Sequence, residues 1–60
     1  MMYKITIQDP TRENKLLVFH SEEFPIMPGR LITFTDIEGE EQTWLLDLLV
    51  NIKKVEDYVR

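Results

Sequence analysis

Leu31-Ile32-Thr33-Phe34-Thr35-Asp36-Ile37-Glu38-Gly39-Glu40-Glu41-Gln42-Thr43-Trp44-Leu45-Leu46 is the stretch that decides the fold class of this chain. Two strand-like runs flank Asp36-Ile37-Glu38-Gly39, where glycine can take the positive φ that a tight hairpin turn requires. In the first run, Arg30 to Asp36, alternation puts Ile32 and Phe34 on one face and Leu31, Thr33 and Thr35 on the other. In the second, Glu40 to Leu46, Gln42, Trp44 and Leu46 oppose Glu41, Thr43 and Leu45. A hairpin of this kind places the chain among small, mainly β domains.

Upstream, Tyr3, Ile5 and Ile7 alternate with Lys4, Thr6 and Gln8, the period of a half-buried strand. Asp9-Pro10 ends that run, because proline has no ladder donor and restricts the residue before it. A polar connection, Thr11 to Lys15, leads to Leu16-Leu17-Val18-Phe19. This second strand is apolar on both faces, which predicts a central or covered position. Ser21-Glu22-Glu23 is expected to return the chain to solvent. Phe24-Pro25-Ile26-Met27-Pro28-Gly29 reads as a structured loop, with Phe24, Ile26 and Met27 expected to fold back over one end of the core.

Downstream of the hairpin two readings compete. As a helix from Asp47, the sequence lines up Leu48, Ile52, Val55 and Val59 in one apolar stripe, with Lys53, Lys54, Asp57 and Arg60 on the other side. As an alternative, a short turn at Leu46-Asp47-Leu48-Leu49 precedes a last strand around Val50 to Glu56, which suits Val50, Asn51 and Ile52 better. The order strand, loop, strand, Pro-rich turn, hairpin, short break, strand resembles the architecture of small SH3-like β-barrels. The acidic and aromatic motif by which signalling SH3 domains hold proline-rich peptides is not legible here, so the resemblance implies no binding residues. The prediction is one domain over residues 1–60, an antiparallel sheet or SH3-like, partly open barrel of about five strands. Its alternative is three to four strands packed on a C-terminal helix over about residues 44–59.

Sixty residues bury only about 60% of the surface their unfolded chain exposes, so the core is one thin layer. Cysteine is absent, which excludes disulfides, thiolate metal sites and a cysteine nucleophile, and fits a reducing compartment. Without such staples, self-association is a natural way to bury more apolar surface. The longest near-apolar run, Trp44 to Val50, is interrupted by Asp47 and is far shorter than the ~20 residues of a membrane span. Met1 to Thr6 alternates and lacks a signal-peptide core. A cytoplasmic protein with no membrane segment is expected.

Net charge is −4, from 11 acidic and 7 basic side chains. Phosphate neutralisation carries most of the affinity for nucleic acid, so this balance disfavours nucleic acid as partner. His20 is the only histidine. Glu22 and Ser21 lie near it, yet nothing resembling Gly-x-Ser-x-Gly surrounds Ser21 and no second histidine exists for a metal site. Gly29 and Gly39 are isolated, which speaks against a phosphate-binding loop, and no cofactor is expected. Asp36-Ile37-Glu38-Gly39-Glu40 does not match a calcium-binding EF-hand loop.

Two groups stand out as candidate surfaces. Trp44, Leu45, Leu46, Leu48 and Leu49 hold more apolar area than one thin core can absorb, which points to burial against a protein partner or a second copy in a homodimer. Glu22, Glu23, Asp36, Glu38, Glu40 and Glu41 form a candidate acidic patch. The sequence therefore predicts a small, non-enzymatic protein-interaction or regulatory module that self-associates. An alternative is an acidic inhibitor covering a basic, nucleic-acid-binding surface of an enzyme or effector. A further alternative is a nucleic-acid-binding small barrel using Lys4, Arg12, Lys15 and Arg30.

Overall fold

In the computed structural model, which describes residues 1–56, the alternating runs become five strands. They are β1 (Met2–Gln8), β2 (Leu16–Ser21), β3 (Leu31–Thr35), β4 (Glu41–Leu45) and β5 (Leu49–Val55). All pairings are antiparallel, in one sheet of order β2-β1-β5 and a second of order β3-β4. The protein is mainly β, and the two sheets stay open rather than closing into a barrel. Where β2 approaches the end of β3, no ladder forms. Single bonds join them: Ile37 N–H donates to the His20 carbonyl at 3.0 Å, and Ser21 Oγ lies 2.8 Å from the Thr35 carbonyl oxygen.

The helix alternative does not form in the described residues. Leu46–Leu48 is one 3-10 turn with no side-chain cap, and Leu49–Val55 pairs with β1. Val50, Asn51 and Ile52 are poor helix formers, and β1 offers them a complete ladder. Opposite Thr6 and Ile7 the register slips, so that Val50 is the extra residue of a bulge between Leu49 and Asn51. Val59, the last position of the proposed apolar stripe, lies outside the described residues, as do Asp57, Tyr58 and Arg60.

The hairpin turn forms as its glycine requires. Gly39 N–H bonds to the Asp36 carbonyl at 2.9 Å, Asp36 N–H bonds to the Glu40 carbonyl at 2.9 Å, and Gly39 has φ 86°. This is a three-residue loop whose last position is left-handed, a conformation that costs a residue bearing Cβ about 1–2 kcal/mol.

Between the sheets, Ile5 and Ile7 of β1 meet Ile32 and Phe34 of β3. Leu17, Phe19, Trp44, Leu46, Leu48, Leu49 and Ile52 pack around these four. Phe19 sits edge-on to Phe34 with ring centroids 5.5 Å apart, and its ring lies 5.9 Å from that of Trp44. Full burial of one isoleucine stabilises by about 1.5–3 kcal/mol, so these few side chains carry much of the fold.

Three placements depart from the sequence reading. β2 is an edge strand, not a central one, and Leu16 and Val18 stand half-exposed on its outer face. Ser21 is fully buried instead of returning to solvent, because its hydroxyl satisfies the polar groups where the two sheets meet. Phe24 and Ile26 do not close over the core: both are exposed, Phe24 edge-on to Tyr3 at 5.3 Å.

Candidate interaction surface

The apolar run after the hairpin divides by strand parity. Trp44 and Leu46 turn inward and, with Leu48 and Leu49, pack against the core while remaining partly exposed. Leu45 points the other way and is 57% exposed. Its cross-strand neighbour on the outer face is Leu31, itself 40% exposed. Ile26 joins this face through an isolated bridge to Thr33, its N–H and carbonyl bonding at 2.9 and 2.8 Å. At 68% exposed, Ile26 is among the least covered apolar side chains in the molecule. Thr33 and Thr43 share a hydroxyl–hydroxyl bond of 3.2 Å in the same row. The outer face of β3–β4 is therefore a patch of Ile26, Leu31 and Leu45 around two threonines. Sequence reading located Leu45 and missed Ile26 and Leu31; only the bridge and the register bring the three together.

The edge beside this patch is open. Asp36 bonds to Glu40 at one end of the β3–β4 ladder, and Leu46 N–H bonds to the Arg30 carbonyl at 2.7 Å at the other. The alternation these bonds set turns the backbone groups of Gln42 and Trp44 toward β3, and those of Glu41, Thr43 and Leu45 away from it. No strand pairs with that side of β4 among the described residues.

The acidic residues gather around the hairpin tip. Glu22 and Glu23 line a 340 Å³ depression with Thr35, Asp36, Ile37 and Gly39. On the other side of the tip, Glu38, Glu40 and Gln42 face Val18, Phe19 and His20 across an open groove of 420 Å³. Glu41 begins β4 and lines neither. Asp36 is committed to the turn. Its carboxylate accepts from the N–H groups of Glu38 at 2.9 Å and Glu40 at 3.0 Å, and from the Gln42 amide at 3.1 Å. These donors, the Glu40 N–H foremost, hold its carboxyl below the usual carboxylate range despite partial desolvation. Asp9 is likewise lowered, chiefly by the Thr11 N–H and hydroxyl at 2.8 Å.

Two further features concern charge and polarity. On the outer face of β1, Lys4 stands directly opposite His20 on one side and Lys53 on the other, a basic row across an acidic protein. Of these, Lys4 and Lys53 are like charges directly opposite, which repel. The Trp44 indole N–H is buried without a hydrogen-bond partner among the described residues. Among the described residues no group of three or more His, Asp or Glu side chains is placed to hold a metal, and no helix is long and apolar enough to cross a membrane. No protein-family model, curated protein or solved structure matches this chain.

Proposed function

We propose that this protein is a small, non-enzymatic protein-interaction module that self-associates through the outer face of β3–β4 and the open edge of β4. The observation that carries this reading is the continuity of Ile26, Leu31 and Leu45 beside a strand edge that pairs with no other strand among the described residues. Such an edge is a template for pairing with another strand. A second copy supplies an antiparallel partner about a two-fold axis at Thr43. Thr43 then faces its own counterpart, extending the threonine row, and Glu41 faces Leu45 rather than another Glu41. Joined in this way, the two hairpins make a four-stranded sheet whose outer face carries a Leu31–Leu45 pair from each copy at opposite ends of a central threonine row.

Sedimentation velocity across a concentration series tests the reading. The wild type is expected to shift from monomer to dimer. Thr43→Pro is expected to stay monomeric, because the N–H it removes points away from β3 and the internal ladder survives. A wild-type protein that remains monomeric at millimolar concentration refutes the proposal.

A further inference from the structure

The edge of β2 is also open, and it runs along the groove beside the hairpin tip. Asp9 N–H bonds to the Lys15 carbonyl at 3.0 Å beyond one end of the β1–β2 ladder, and the His20 carbonyl is bound by Ile37 near the other. With the observed register, the backbone groups of Leu17 and Phe19 face β1, whereas those of Leu16 and Val18 face outward. Neither Leu16 nor Val18 has a backbone partner on that side among the described residues. Across the 420 Å³ groove, Glu38 and Glu40 form the opposite wall and make no ion pair within the described residues.

We propose that this groove receives an extended segment of a partner protein, added as a strand to the edge of β2, with side chains alternately apolar and basic. The open edge requires the extended form, since only a strand satisfies a row of outward-facing N–H and carbonyl groups. Period-2 alternation then splits the side chains of the segment into two rows. One row lies beside the half-exposed Leu16 and Val18 and is apolar. The other reaches the wall bearing Glu38 and Glu40, where charge complementarity selects lysine or arginine. Lys4 and Lys53 lie on the same outer face as Leu16 and Val18, which disfavours basic side chains there and reinforces the alternation. The groove takes in Gln42 of β4 but none of Glu41, Thr43 and Leu45, whose backbone groups form the β4 edge, so the inference does not require self-association.

Fluorescence anisotropy with a labelled peptide of about seven residues, alternating lysine and valine and about 23 Å long when extended, tests it at low salt. Binding is expected to weaken about fivefold in the Glu38→Gln, Glu40→Gln double variant, and to weaken further as salt rises. Val18→Pro, which removes an outward-facing N–H, is expected to weaken it about tenfold while the urea midpoint stays within error. Two N-methylated peptides leave the protein untouched: methylating one alternate set of amides is expected to abolish binding, and methylating the other to leave it. The monomeric Thr43→Pro variant is expected to bind as the wild type does. Failure of the wild type to bind at millimolar peptide, equal binding of a scrambled peptide of the same composition, or full binding by both methylated peptides overturns the inference.

Discussion

Ile32 offers the sharpest test of how the two sheets are held together. It is completely buried, stands opposite Trp44 on the inner face of the hairpin, and belongs to the cluster with Ile5, Ile7 and Phe34. Ile32→Val deletes one carbon, worth about 0.8 kcal/mol of transfer free energy, and Ile32→Ala deletes three, worth about 2.4 kcal/mol. Incomplete collapse around the vacated space brings the alanine variant into the range of about 2–5 kcal/mol. A domain of this length is stable by about 3–9 kcal/mol in all. Ile32→Val should therefore lower the urea midpoint by about 1 M, taking an m-value near 1 kcal/mol/M, and Ile32→Ala should leave a substantially unfolded protein. Leu16→Ala, at a half-exposed position on β2, is the control and should move stability by no more than about 0.5 kcal/mol. Protein concentration is held constant across the set, since association adds to apparent stability. Equal midpoint shifts for Ile32→Val and Leu16→Ala would refute the assignment of the core.

Ser21→Ala removes the hydroxyl that lies 2.8 Å from the Thr35 carbonyl and 2.9 Å from that of Glu23, and that accepts the Glu23 N–H at 3.2 Å. Its stability in urea should fall by about 1–3 kcal/mol, because buried backbone groups lose their partner. Gly39→Ala has open space for its Cβ but keeps the left-handed φ of 86°, so backbone strain alone should cost about 1–2 kcal/mol in the same assay. For Asp36 the folded pKa lies below the ordinary 3.8, so the unfolded chain binds the proton more readily. Its stabilising contribution is then complete above the unfolded value and fades as pH falls through the folded one. Asp36→Asn, which retains an oxygen to accept from Glu38 and Glu40, should be less stable than the wild type at about pH 6, and the gap in urea midpoint should narrow as pH falls below the ordinary 3.8.

Local chemistry made much of this protein legible from its sequence. Alternation set the face of every residue in Leu31–Thr35 and Glu41–Leu45, and the positive φ at Gly39 follows from the need to reverse the chain within three residues. Proline after Asp9 ended β1 where expected, and the preference of Val50 to Ile52 for extended backbone favoured the last strand over a helix. Neighbourhood was not legible, because a period of two reports which way side chains point and not which strand lies beside which. Leu16 to Phe19 therefore reads as covered on both faces, yet the order β2-β1-β5 leaves it at an edge. Ser21 has the composition of a solvent turn, but the meeting of two sheets encloses it and gives its hydroxyl three backbone partners. Leu45 is distant in the chain from Ile26 and Leu31, and the three become one patch only through the Thr33 bridge and the hairpin register. Sequence determined the strands and the turn, where the governing energies are local. Tertiary structure decided the edges, the buried hydroxyl and the candidate surfaces, because each depends on pairing between residues that the chain keeps apart.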